Sequence, residues 1–230
     1  MVVLLLVIVV LVILIGPSIW VQSVLRKYST PADRYPGTGG ELARHLLDQL
    51  GLDQIGVEAV DTPKMGDHYD PVAGMVRLTA DKFSGRSLTA ITVAAHEVGH
   101  AMQDRDNFAP LRWRTRLVPM VTVCNKAGAG LLVAAPFVGL LTRAPVAGLL
   151  FAAGGLLSMA TAAIVHLITL PAEFDASFTR ALPILKGGDF LLSGDEKHAR
   201  RLLTAAALTY VSAALMSLLN VGRWLAILRR

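Results

Sequence analysis

Apolar residues are arranged along this chain in two ways, as unbroken runs and as runs that alternate with charge. Residues 2–25 carry no charge, only Lys126 interrupts 117–142, and no charge occurs from 144 to 172 or from 202 to 222. Each run is long enough to cross a bilayer, which takes about 20 mostly apolar residues. The two middle runs meet at Thr142-Arg143-Ala144-Pro145, a tight turn that forces them antiparallel. Elsewhere the spacing changes. Residues 41–50 set Leu42, Leu46, Leu47 and Leu50 at helical intervals and stop at Gly51. Residues 56–60 alternate weakly, and 68–78 hold Asp70-Pro71-Val72-Ala73-Gly74 between two extended pieces, which is hairpin chemistry. Ser84, Gly85 and Ser87 precede a long amphipathic helix expected over 88–105, with Pro110 closing it. Residues 28–40, rich in Pro, Gly and Thr, read as a linker.

Composition supports the membrane reading. The chain is 53% hydrophobic and 17% charged with a mean hydropathy of +0.54, whereas soluble domains run near a quarter charged. Only 26–116 and 173–201 are polar, which leaves room for one small water-facing domain. The lone Cys124 excludes a disulfide scaffold. The first run lacks a basic n-region and a small-x-small cleavage site, so it reads as a retained anchor. The expected fold class is mainly α, a multi-pass helical membrane protein of about four transmembrane helices with a small α+β domain. Its parts are an anchor at 1–25, a catalytic domain at 26–116, a helical hairpin at 117–170, a polar segment at 171–201 and a last span with its tail at 202–230.

Net charge is +5, but residues 26–116 hold twelve basic and twelve acidic side chains. The excess sits at segment ends, among them Arg26, Lys27, Arg112, Arg114, Arg116, Arg200 and Arg201. That is the pattern of flanks facing anionic headgroups, and nucleic acid is not an expected partner. By the positive-inside rule the N-terminus lies outside an inner membrane and both polar parts face the cytoplasm.

The chemistry is concentrated in His96-Glu97-Val98-Gly99-His100. On a helix, residues four apart share a face, so two imidazoles can meet one Zn²⁺ while Glu97 projects to the side where an activated water would sit. With a carboxylate as third ligand and a fourth position open, the expected reaction is hydrolysis of a peptide bond by zinc-activated water with Glu97 as general base. The domain is thus zincin-like and takes one Zn²⁺ per chain. Two acids compete for the third place: Asp106, six residues after His100, and Glu173, which follows Pro171 at the end of an apolar run. A ligand at 106 would call for a helix-breaking Gly at 103, where the chain has Gln103, so Glu173 is preferred. Ser177, four residues on, shares the face of Glu173, and His68 or Tyr69 of the Asp67-His68-Tyr69-Asp70 cluster could support an oxyanion. His166, two turns before Glu173, reads as a buried polar residue ahead of an outer-shell role. Residues 75–80 are expected to form an exposed strand edge that holds substrate.

The pieces DHYDP at 67–71, FSGRS at 83–87, AAHEVGHAMQ at 94–103, APLR at 109–112, LPAEFDAS at 170–177 and ALTYVSAAL at 207–215 resemble those of the YugP-like membrane zinc metallopeptidases. The resemblance covers nearly the whole chain. It implies a multi-pass bacterial membrane peptidase with zinc on His96 and His100 and with Glu97 catalytic. EFDAS also resembles the E-F-x-A-D of HtpX-like and CAAX-prenyl-protease-like enzymes, where the Glu is a ligand and the Asp four residues later supports the site. Here that later position is Ser177. The expected function is a zinc endopeptidase of gluzincin type acting on protein or peptide substrates associated with the bilayer. The competing readings are a non-proteolytic zinc-binding scaffold or assembly factor, which would need no Glu97, and a transporter, for which paired charges in the apolar runs are wanting.

Overall fold

The computed structural model describes residues 2–61 and 66–216. It is mainly helical with one small sheet. The chain divides into two compact units, one formed by Met1–Ser18, Trp113–Thr169 and Tyr210–Arg230, the other by Ile19–Arg112 and Leu170–Thr209.

The second unit holds the candidate chemistry. It begins with the last turns of α1 (Val2–Lys27), whose Val21 and Val24 are buried in its core. Helix α2 (Gly39–Gln49) starts on a reciprocal cap: Thr38 Oγ1 accepts from the Glu41 N–H at 3.1 Å, and Glu41 Oε2 accepts from the Thr38 N–H at 2.8 Å. Its Leu42, Leu46 and Leu47 turn inward, as their spacing requires. Three strands follow, β1 (Gly56–Val60), β2 (His68–Asp70) and β3 (Met75–Thr79), in the order β1-β3-β2. β3 runs parallel to β1 and antiparallel to β2, with Gly56 opposite Met75 and His68 opposite Arg77. Val76 and Leu78 point into the core, while Arg77 on the other face pairs with Glu58 and Asp70 on either side. The Asp67–Asp70 cluster is largely turn chemistry. Asp70 Oδ1 accepts from the N–H groups of Val72 and Ala73, and Asp67 Oδ1 accepts from the Thr79 N–H at 2.7 Å.

Two expectations need correction here. β3 lies at the centre of the sheet, with both sides paired, so residues 75–80 present no free edge to a substrate. Ala80 opens a short helix α3 (Ala80–Phe83). Pro110 does not close the long helix α4 (Leu88–Arg105): the chain turns at Asp106 and Asn107, the latter at φ +53°, and Pro110 is the second residue of α5 (Ala109–Leu141).

The segment 28–40 is no loose linker. Tyr35 N–H donates to Arg86 O at 2.8 Å, Arg34 clamps Asp195 through Nε and Nη2 at 2.7 and 2.8 Å, and Tyr35 Oη donates to the same carboxylate at 2.7 Å. Burial acts to raise the Asp195 pKa, but Arg34, Tyr35 and His198 outweigh it and hold the carboxyl below its ordinary range. Tyr35, buried and bonded to an acid, is pushed up to about 12.

α4 starts on Ser87, whose Oγ accepts from the Ala90 N–H, and is buried nearly all round. That suits its small apolar composition, because neighbours can approach from every side. After the apolar helices come α7 (Leu170–Phe174), a π-helical stretch Asp175–Ala181, α8 (Leu182–Gly187) and α9 (Glu196–Ala207).

The other unit contains the body of α5 and α6 (Pro145–Ile168). Their backbones come close where glycines allow it: a Cβ on Gly148 would lie 2.8 Å from Ala135 O, and one on Gly155 2.8 Å from Gly128 O. Ser158 Oγ donates to Cys124 O at 2.8 Å. Among the described residues, α5 is the helix long and apolar enough to cross a membrane, with 145–158 a shorter apolar stretch. Residues 209–216 are helical, and the remainder of the expected last span, from 217, lies outside the described residues.

Candidate active site

Helix α4 brings His96 and His100 to one face, their ring centroids 4.8 Å apart and their planes at 76°. Glu173, 2% exposed, comes to the same place from α7. Its Oε2 lies 3.3 Å from His96 Nε2 and 3.4 Å from His100 Nε2, and all three donor atoms fall within 4.8 Å of one another. These separations are long for a charge-assisted hydrogen bond, which runs about 2.7–2.9 Å. They match the edge of a tetrahedron: ligands at zinc's 2.0–2.1 Å bond lengths stand about 3.3–3.4 Å apart. The donor set, two imidazoles and a carboxylate, is one that Zn²⁺ takes.

Glycine makes the approach possible. Gly99 packs against the π-helical stretch so closely that a Cβ would sit 2.6 Å from Ala176 O and 3.2 Å from its carbonyl carbon. The widened turn belongs to the same arrangement, since it carries Ser177 back toward the helix.

Outside the three donors, both Nδ1 atoms meet a protein group. Ser177 Oγ is 3.1 Å from His96 Nδ1 and donates to Leu203 O at 3.2 Å. Gln103 Oε1 is 2.9 Å from His100 Nδ1, and Gln103 Nε2 donates to Ala172 O at 2.7 Å and to Asp175 Oδ2 at 2.8 Å. Arg180 Nε donates to Asp175 Oδ2 at 2.7 Å. Glu97 is 5% exposed, and its Oε2 is buried with no hydrogen-bond partner among the described residues.

The other sequence-derived candidates lie differently. Asp106 pairs with Arg105 and Arg180, which hold its carboxyl below the ordinary range. Tyr69 Oη donates to Asp104 Oδ2 at 2.8 Å, and burial together with that bond raises its pKa. His68 Nδ1 faces Gly66 O at 3.1 Å. His166 belongs to the other unit, as does Tyr210, whose ring lies 5.8 Å away and tilted by 55°. Sequence reasoning missed Gln103 and Asp175 as neighbours of the site; the available signal was a polar residue one turn beyond His100 on a face that had to be buried.

A family model described as "Putative neutral zinc metallopeptidase" matches residues 3–229. A Bacillus subtilis (strain 168) protein named "Putative membrane protease YugP" is 37% identical over 217 residues, covering 93% of this chain and 92% of that protein. No solved structure matches the chain. A match over almost the full length, together with an HExxH helix and a convergent Glu173, makes the chain a member of the neutral zinc metallopeptidase family.

Proposed function

We propose that this protein is a zinc-dependent endopeptidase of the membrane, cleaving membrane-associated protein or peptide substrates. The observation that carries the reading is the convergence of His96, His100 and Glu173 in a buried place, with Glu173 Oε2 at tetrahedral-edge distances from both Nε2 atoms and all three donors within 4.8 Å of one another. His96, His100 and Glu173 would hold one Zn²⁺, which as a Lewis acid makes water more acidic and polarises a scissile carbonyl. Glu97 follows His96 on the helix, and its buried Oε2 takes the proton of the attacking water and returns it to the leaving amine. A scaffold that kept zinc for structure would have no use for a carboxylate with an oxygen buried and unbonded at that position.

The test is Glu97→Gln, which keeps the shape of the side chain but cannot accept the proton. Zinc content should stay at the wild-type level while cleavage of casein or a membrane protein falls by about 10²–10⁴-fold. Wild-type turnover in this variant would end the mechanism, and full metal occupancy in His96→Ala or His100→Ala would remove the site.

The reading extends to topology. Four spans, at about 1–25, 117–142, 145–170 and from 202, put the catalytic part 26–116 and the Glu173 segment on one side of an inner membrane, because two spans separate them. Basic flanks at Arg26, Lys27, Arg112, Arg114, Arg116, Arg200 and Arg201 support the cytoplasm as that side. With Cys124 replaced by Ser, a cysteine at Val72, 89% exposed in the β2–β3 turn, should resist impermeant thiol reagents in intact cells and react after lysis. Labelling of intact cells would make the enzyme extracytoplasmic.

A further inference from the structure

Gln103 is 0% exposed and stands one turn beyond His100 on α4. A primary amide has two N–H donors on its nitrogen and only lone pairs on its oxygen. Both partners of Gln103 Nε2 can only accept: one is the Ala172 carbonyl, the other an Asp175 oxygen that also accepts from Arg180. Turning the amide over would set its oxygen against two acceptors, so these partners fix its orientation. Oε1 is therefore the atom that faces His100 Nδ1 at 2.9 Å, and an acceptor there requires the ring proton to sit on Nδ1. The lone pair of a neutral imidazole is then on Nε2, the atom 3.4 Å from Glu173 Oε2.

The same amide also brackets Glu173 along the chain. Ala172 precedes that residue and Asp175 follows it by two, so the side chain that orients one donor grips the backbone bearing another. We propose that Gln103 is a positioning residue of the metal centre, locking His100 in its Nδ1–H tautomer and tying that ring to the segment of Glu173. This rests on the zinc reading given under the proposed function. Ser177 is the weaker counterpart on His96, because a hydroxyl can rotate to donate or accept, and its bonds of 3.1 and 3.2 Å are longer.

The experiment measures zinc affinity of the full-length purified protein by competition with a chromophoric chelator, so that turnover is not the readout. Gln103→Met preserves bulk but offers neither acceptor nor donor. Its zinc affinity should fall about 10- to 100-fold, more than that of Ser177→Ala. In metal-free protein labelled with ¹⁵N-histidine, the Nδ1–H signature of His100 should be present in the wild type and lost in the variant. Gln103→Glu keeps the acceptor for His100 but places a carboxylate against Asp175, and should also bind zinc weakly. Adding Asp175→Asn to it restores one of the two lost pairings, though not that with the Ala172 carbonyl, and should recover part of the lost affinity. Wild-type affinity and an unchanged tautomer in Gln103→Met would overturn the proposal, as would a lowered thermal midpoint with no change in zinc binding. If Gln103→Met does not fold, absence of rescue in the Gln103→Glu/Asp175→Asn pair overturns it instead. Zinc retained by His100→Ala is a separate result that brings down the zinc reading beneath it.

Discussion

Leucine on α6 behaves oppositely to leucine in the unit around α4. In the unit around α4, Leu47, Leu78, Leu185 and Leu203 are 0% exposed, whereas on α6 Leu149 and Leu157 are 68% and 72% exposed. The unit around α4 is held as a protein in water is held, by removing apolar surface from solvent. In the other, many large side chains of α5 and α6 face outward and the helices meet through Gly139 against Gly148, Gly128 against Gly155 and the Ser158 bond to Cys124 O. That is the adhesive suited to lipid, where burying a leucine gains little and close backbone packing gains more. The contrast teaches that exposure has no meaning until the solvent is named.

The sharpest way to break the contrast is to put the same charge on both surfaces. Leu157→Arg should cost about 2.5–3.5 kcal/mol of membrane insertion, whereas Val72→Arg, at a still more exposed apolar site in the turn, should change stability by less than about 0.5 kcal/mol. Insertion assays and thermal midpoints check the pair; equal tolerance would mean that α6 does not face lipid. A smaller effect separates the two kinds of glycine contact. Gly99→Ala and Gly148→Ala each force a Cβ against a carbonyl, at 2.6 and 2.8 Å, and each should cost about 1–3 kcal/mol. Only Gly99→Ala should weaken zinc binding, because Ala176 lies in the stretch just after Glu173. The smallest effect belongs to Asp195, the carboxylate that ties 28–40 to the start of α9. Its pKa is lowered on folding from an ordinary 3.8, so its stabilisation is present above that pH and is lost as pH falls toward the folded value. Denaturation of wild type and Asp195→Asn should therefore differ most near neutrality and converge in acid; a gap that widens below pH 4 would reverse the assignment.

How far the sequence reveals this molecule depends on the range of the interaction. The bounds of α4 were legible, because its Ser87 cap is local, but its amphipathic reading was not borne out: the helix is buried nearly all round. The hairpin turn at Asp70–Gly74 was legible as well, since its Asx bonds and positive-φ Gly74 are local too. The position of Met75–Thr79 within the sheet was not, since its alternation is compatible with edge or centre and the pairing partner β1 comes from 15 or more residues away. Glu173 was readable as an acid at the end of an apolar run, yet nothing in Asp175–Ala181 announces a π-helical turn. Gln103 illustrates the general difficulty: one polar residue among many, given its role by Ala172 and Asp175 some seventy residues later.

Chain order adds a consequence for how such a molecule is made. His100, the later of the two histidines, leaves the ribosome 73 residues before Glu173, and at about 5–20 residues per second that interval is roughly 4–15 s. α5 and α6 lie wholly within it. Until the second of them has been synthesised there is no third donor and no complete centre, only two histidines on a nascent helix. The order of the parts thus acts as a safety catch: a nascent chain cannot bring the three donors together before its apolar hairpin has emerged.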